Sequence, residues 1–71
     1  MLYENSYERA LKFADSEAYD SVEFHSEWQG YDVFVAYSEE GSYTGFPDFV
    51  LVDAKKARWA TTDETMSIFF A

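Results

Sequence analysis

Two neighbouring segments, SVEFHSEW (21–28) and YDVFVAY (31–37), alternate between apolar and polar residues with a period of two. This period is typical of a β-strand that buries one face. The dipeptide Gln-Gly separates the segments, which is the spacing of a two-residue hairpin turn. We therefore predict an antiparallel β-hairpin over residues 21–37.

The register of this hairpin follows from matching the apolar residues of the two strands. The predicted core face has Val22, Phe24, Ser26 and Trp28 on the first strand and Tyr31, Val33, Val35 and Tyr37 on the second. The reverse face then has three opposed pairs, namely Glu27 with Asp32, His25 with Phe34, and Glu23 with Ala36. Opposed like charges destabilise a sheet by up to about 1 kcal/mol. This cost indicates that the reverse face has a role other than stability.

Segments on both sides of the hairpin predict the remaining elements. ENSYERALKFAD has apolar residues at helical spacing, with Asn5 or Ser6 as its N-cap and Glu8 at capping-box spacing from Asn5. FPDFVLVD predicts a third strand that is covered on both faces, and ARWAT predicts a short fourth strand.

The C-terminal segment TTDETMSIFF predicts a closing helix. Thr61 and Glu64 stand at capping-box spacing, and we expect Met66, Phe69 and Phe70 to point inward. The whole chain then predicts one domain (1–71) with an α+β fold: an N-terminal helix, a three- to four-stranded antiparallel meander sheet and a short C-terminal helix. We expect both helices on one face of the sheet, and a small open barrel is the alternative.

Composition restricts the compartment. The chain has no cysteine, which excludes disulfides and thiolate metal sites and favours a reducing cytoplasm. The N-terminus MLYENSYER lacks the basic and apolar regions of a secretory signal, and no segment approaches the roughly 20 apolar residues that cross a bilayer. We expect a soluble cytoplasmic protein that does not enter a membrane.

Charge restricts the partners. The net charge is −9, and between Lys12 and Lys55 the sequence has ten acidic residues and no Lys or Arg. Three of the five basic residues are Lys55, Lys56 and Arg58. Binding to nucleic acid or to an anionic membrane needs many Lys and Arg residues, so neither is expected. A basic protein surface is the expected partner.

Signatures of catalysis and of cofactor or metal binding are weak. His25 has no Ser and acid placed with it as a catalytic triad requires. DSEAYD (15–20) lacks the Gly and Glu that a calcium loop needs at its sixth and twelfth positions. EEGSYTG (39–45) would repel phosphate through its two glutamates. We predict no enzyme, no metal and no cofactor.

We therefore predict a non-enzymatic protein-binding module that uses an acidic face to bind a basic surface, such as that of a nucleic-acid-binding protein. One form of this function is an inhibitor that imitates nucleic acid. The predicted partner-binding residues are Glu23, His25, Glu27, Asp32 and Phe34 of the hairpin and Glu39, Glu40 and Tyr43 of the loop that follows it.

Two alternatives remain open from the sequence. Phe34 can instead pack with Val50 and Val52 under the closing helix or under residues 55–58, which would leave the binding surface to the loop residues alone. The chain can also be a small structural or assembly protein that forms a homodimer through the apolar strand 46–52 or through its aromatic C-terminus.

Overall fold

The computed structural model describes residues 2–37 and 48–70 of the chain. The elements in chain order are α1 (Ser6–Ser16), β1 (Ser21–Trp28), β2 (Tyr31–Tyr37), β3 (Asp48–Val52), β4 (Ala57–Trp59) and α2 (Thr62–Phe69). All neighbouring strands are antiparallel, and their order in the sheet is β1-β2-β3-β4. The predicted α+β fold is confirmed. Each face of the sheet packs against a helix, so the sheet does not curve around a single interior and the alternative of a small open barrel is wrong.

The hairpin β1–β2 has the predicted turn. Gln29 (φ 46°) and Gly30 (φ 83°) both lie in the left-handed region, as a two-residue hairpin turn of this type requires. Trp28 is opposite Tyr31, as the sequence predicts. The pairs Glu27–Asp32 and Ser26–Val33 are also as predicted.

A β-bulge at His25 changes the register of the rest of the hairpin. Beyond the bulge, Phe24 is opposite Phe34, Glu23 is opposite Val35 and Val22 is opposite Ala36. The predicted pairs of His25 with Phe34 and of Glu23 with Ala36 are therefore wrong. One extra residue in a strand moves all later side chains to the other face of the sheet. As a result, Phe24 shares a face with Phe34 and not with Val35.

The two helices cover opposite faces of the sheet, so the prediction that both lie on one face is wrong. The core on the α1 face contains Ala10, Ala14, Val22, Phe34, Ala36, Val50 and Val52. The core on the α2 face contains Val33, Phe49, Leu51 and Ile68. Both faces need a cover because β2 and β3 are apolar on both sides, as the sequence predicts for β3.

Helix α1 packs closely on the sheet through its small residues. Ala10 and Ala14 are fully buried and lie one helical turn apart. The N-cap residue is Asn5, but its side chain makes no capping hydrogen bond. The predicted Asn5–Glu8 capping box is therefore absent, because Asn5 adopts a left-handed conformation (φ 61°) that Asn tolerates better than most residues.

Helix α2 begins with the predicted capping box. The N–H of Glu64 donates to Oγ1 of Thr61, and the N–H of Thr61 donates to Oε1 of Glu64. The prediction that Met66, Phe69 and Phe70 point inward is wrong, because all three are exposed. Ile68 is the buried residue of this helix. It lies on the same side of the helix as Glu64, whose bonds to Arg58 of β4 fix the rotation of α2.

Candidate functional site

Asp32 belongs to the interior of the protein and not to an accessible acidic face. Its side chain is 0% exposed. The N–H of Leu2 donates to Oδ1 (2.7 Å) and the N–H of Tyr3 donates to Oδ2 (3.1 Å). These two bonds compensate the burial of the carboxylate and attach the N-terminal segment to the sheet. The prediction that Asp32 is an exposed partner-binding residue is therefore wrong.

Phe34 is also an interior residue. It is 0% exposed and packs in one core with Val50 and Val52, under α1. The alternative in which Phe34 is a core residue is thus correct in substance, although α1 is the helix that covers it. A partner cannot contact Phe34 in this conformation, so its prediction as an accessible anchor is wrong. The cause is that α1 covers Phe34, and the sequence pattern of the hairpin gives no information about this packing.

The three predicted residues of β1 are all exposed. Glu23 lies on the α2 face, because it is opposite Val35, which is in turn opposite Phe49. His25 lies on the same face, with its ring centroid 5.0 Å from that of Phe49. Glu27, opposite Asp32, lies on the α1 face. The carboxylates of β1 therefore occupy both faces of the strand and do not form one acidic face. The predicted loop residues Glu39, Glu40 and Tyr43 lie outside the described residues.

Five exposed carboxylates lie on β1 and on the part of the chain that leads into it from the end of α1. We name this group the acidic edge, and it consists of Asp15, Glu17, Asp20, Glu23 and Glu27. Asp15 and Glu17 lie at the C-terminal end of α1, and the last turn of this helix contains no basic residue. Negative charge at a helix C-terminus is unfavourable by roughly 0.3–1 kcal/mol. The stability of α1 therefore does not explain these two acids.

Three of the five basic residues lie at the opposite margin of the sheet, and the other two, Arg9 and Lys12, lie on α1. Lys55 and Lys56 precede β4, and Arg58 lies within it. Strands lie about 4.8 Å apart, so three spacings separate β1 from β4 by about 14 Å. This distance exceeds the Debye length of about 8 Å at physiological ionic strength. The basic margin therefore does little to neutralise the acidic edge.

The carboxylates near β4 are bound by the chain itself. Both guanidinium Nη atoms of Arg58 donate to Glu64 at 2.8 Å, and this pair holds the pKa of Glu64 at about 2 while it raises that of Arg58. The N–H groups of Lys55 and Lys56 donate to Oδ1 of Asp53 and hold its pKa below its ordinary value. These acids have structural roles at a distance from the acidic edge.

Two aromatic rings are exposed beside the acidic edge. Phe24 is 39% exposed and Tyr7 is 44% exposed. Both pack edge-on against the buried ring of Phe34, with centroid distances of 5.5 Å and 6.1 Å. The alternation of β1 does not predict this pair, because it places Phe24 in a core with Val35. The bulge at His25 is what places Phe24 on the same face as Phe34. No residue type at this point of β1 indicates a bulge.

His25 lies on the same face of β1 as Ser26, so the expectation that no Ser is placed with His25 is wrong. Its Nδ1 lies 2.9 Å from Oγ of the adjacent Ser26.

Within residues 2–37 and 48–70, no three His, Asp or Glu side chains are placed to hold a metal ion. In the same ranges no helix is both long and apolar enough to cross a membrane.

The predicted homodimer contact through strand 46–52 conflicts with the position of β3. This strand pairs with β2 on one side and with β4 on the other, and residues 49–52 are buried. A second copy has no access to its backbone or to its apolar side chains. The aromatic C-terminus is the part of this alternative that the geometry leaves open.

No protein-family model, no curated protein and no solved structure matches the chain. The assignment of a function therefore depends on the geometry alone.

Proposed function

We propose that this protein is a non-enzymatic protein-binding module, in which the acidic edge binds a basic surface of a partner protein. One observation carries the proposal, namely the separation of exposed carboxylates at β1 from the basic residues at β4 by the width of the sheet. A separated charge distribution of this kind attracts and orients a basic partner. The absence of cysteine fits a reducing cytoplasm as the compartment.

Two exposed aromatic side chains support the acidic edge as the binding surface. Phe24 and Tyr7 lie beside the acidic edge and rest on the rigid core residue Phe34. Binding interfaces are enriched in aromatic anchors within a polar rim, because the aromatic rings supply apolar contact while the rim orients the partner. Phe24 and Tyr7 thus take the role that the sequence analysis gave to Phe34.

The length of the acidic edge favours a partner that otherwise binds nucleic acid. Asp20 and Glu27 are seven residues apart, which corresponds to about 23 Å of extended strand. A basic surface that binds a phosphate backbone presents Lys and Arg over a similar length. We therefore propose an inhibitor of a nucleic-acid-binding protein as the specific form of this function.

The test compares two baits in a lysate of the source organism at low salt. One bait is the wild-type chain, and the other has Glu23→Gln and Glu27→Gln. A partner retained by the first bait and lost by the second is then purified, and its Kd is measured from low to high salt with double-stranded DNA as competitor. We expect binding that weakens steeply with salt and is displaced by DNA. Equal retention by both baits, or a Kd that salt does not change, would exclude the proposal.

The second candidate function is self-association through α2. Met66 and Phe69 of this short helix are exposed, and its C-cap residue Phe70 is 66% exposed. An exposed apolar group of this kind is a common site of protein contact. Sedimentation of the wild-type chain and of Phe70→Ser at micromolar concentration tests it. A dimer that Phe70→Ser dissociates would support this candidate, and a wild-type monomer would exclude it.

A further inference from the structure

We infer that the partner presents an extended basic segment, which pairs with the outer side of β1 as an additional strand of the sheet. This inference rests on the proposed function, since it specifies how the acidic edge binds a basic partner. Strand addition to a sheet edge is a general mode of peptide recognition, in which backbone hydrogen bonds supply affinity and alternate side chains supply specificity.

The backbone of β1 is suited to accept a strand. It is eight residues long, and in the described part of the chain it pairs with β2 alone. Proteins protect such edges with lysine, proline, bulges or short strands. β1 has no lysine and no proline. Its protective devices are the bulge at His25 and the charges of Glu23 and Glu27, and a basic segment would neutralise these charges. The opposite edge strand, β4, is only three residues long and contains Arg58.

Side chains on β1 define which segment would fit. Glu27 and Phe24 lie on the α1 face, and Glu23 lies on the α2 face. Across the bulge, Glu27 and Glu23 are opposite Asp32 and Val35 of β2, which are three positions apart. A partner strand on the outer side of β1 with the same spacing would have two basic residues three positions apart, opposite Glu27 and Glu23. These two residues would lie on opposite faces of the sheet. An apolar residue adjacent to the basic residue that is opposite Glu23 would lie beside Phe24.

A second copy of this chain is a poor occupant of the same edge. Two β1 strands would set the acidic edges of two copies against each other, and like charges placed opposite each other destabilise a sheet. The net charge of −9 adds repulsion between the copies. Charge complementarity therefore favours a basic segment from another protein.

The experiment uses capped, threonine-rich peptides as probes, each with one valine and two lysines. The reference peptide has its lysines three positions apart, and a control of the same composition has them two positions apart. Two further versions of the reference are N-methylated at alternate residues, one at the odd and one at the even positions. Binding to the wild-type chain is followed at low salt by the shifts and hydrogen exchange of its backbone amides in NMR.

We expect the reference peptide to bind and to slow hydrogen exchange of β1 amides. Only alternate N–H groups of an added strand point toward β1, so one N-methylated version should bind at least about tenfold more weakly while the other binds like the reference. The control with lysines two positions apart should also bind at least about tenfold more weakly, because it places both charges on one face. In the protein, Glu23→Gln should weaken binding about threefold and Asp63→Asn, on α2, should not change it.

The other outcomes separate the inference from the proposed function. Equal binding of both N-methylated versions, without protection of β1 amides, would overturn strand addition and leave the acidic edge as a binding surface. Equal binding of the two lysine spacings would overturn the assignment of Glu23 and Glu27 to opposite faces of the bound strand. Failure of every lysine peptide to bind at low salt would overturn the inference, whereas the proposed function is tested separately by the two baits and by the Kd of the retained partner.

Discussion

Strands β1 and β2 pair residue by residue, yet similar side chains on them have different environments. Phe34 and Asp32 of β2 are fully buried, whereas their opposite residues on β1, Phe24 and Glu27, are exposed. β2 has a neighbouring strand on each side, whereas β1 forms the margin of the sheet, although α1 packs on both strands. The position of a strand in the sheet therefore decides whether an aromatic or acidic residue is buried in the core or exposed at the surface.

The same contrast applies to charge. Asp32 is bound by two backbone N–H groups and Glu64 by Arg58, so these carboxylates are part of the fold. The carboxylates of the acidic edge are exposed, and two of them lie at the unfavourable end of a helix. The acidic residues of this chain thus include carboxylates that are buried or bound by Arg58 and carboxylates that are exposed at the surface.

The largest effect is expected for the two opposed phenylalanines. Phe34→Ala leaves a cavity in the core and should cost about 3–5 kcal/mol, which is most of the stability of so small a domain. Phe24→Ala should cost about 1 kcal/mol, because part of its ring is already in contact with water. Urea unfolding of both variants measures the difference. Equal losses would contradict the contrast between the two strands.

Asp32 and Glu27 provide the second test. Asp32→Asn replaces one charge-assisted acceptor with an amide N–H₂ that faces backbone donors, so we expect a loss of about 2–3 kcal/mol. Glu27→Gln should change stability by less than about 0.5 kcal/mol, as is usual for a surface substitution. Thermal unfolding near neutral pH compares them. A neutral result for Asp32→Asn would show that the buried carboxylate does not hold the N-terminal segment.

The pH dependence of stability tests the role of Glu64, whose carboxylate is bound by Arg58 at the margin of the sheet opposite β1. Bonds to Arg58 hold the pKa of Glu64 at about 2, against an ordinary value of 4.5. Because the pKa is lower in the folded state, the pair stabilises the protein above pH 4.5, and this contribution is lost as the pH falls toward 2. Arg58 is 37% exposed, so screening reduces the contribution to about 1 kcal/mol or less.

The measurement is the Tm of the wild type and of Glu64→Gln as a function of pH. The wild type should unfold at the higher temperature at pH 6, and the two curves should approach each other near pH 2. A constant difference between them over this range would exclude an ionic contribution of Glu64.

The smallest effect concerns the turn that joins the two strands. Gln29 adopts a left-handed conformation (φ 46°), which Asn tolerates better than Gln. Gln29→Asn should stabilise the protein by about 0.5 kcal/mol without any change in charge or in exposed aromatic area. A rise of a few degrees in Tm would support this, and a fall would indicate that the side chain of Gln29 has a stabilising role of its own.

Local patterns in the sequence were sufficient for much of the fold. The period of two located β1 and β2, the apolar run located β3, and the capping box of Thr61 and Glu64 located the start of α2. These signals are local because they depend on side-chain alternation and on bonds between residues close in the chain. The turn and the three pairs nearest to it were predicted for the same reason.

The candidate site was predicted only in part, because it depends on contacts between distant residues. The bulge at His25 moved Phe24 to the face of Phe34, and the packing of α1 buried Phe34 itself. The N–H groups that bind Asp32 come from Leu2 and Tyr3, 30 and 29 residues away in the chain. Sequence alternation contains none of this information, so it could identify the acids but not separate the exposed from the buried ones.

The most direct test of the account compares two charge reversals that change the net charge equally. Glu23→Lys lies in the acidic edge, and Asp63→Lys lies on α2, outside it. The Kd for the peptide with lysines three positions apart is measured at low salt, after circular dichroism has verified that both variants are folded. We predict that Glu23→Lys weakens binding about tenfold and Asp63→Lys no more than about twofold. Equal weakening would mean that net charge alone governs binding and would contradict a site at β1.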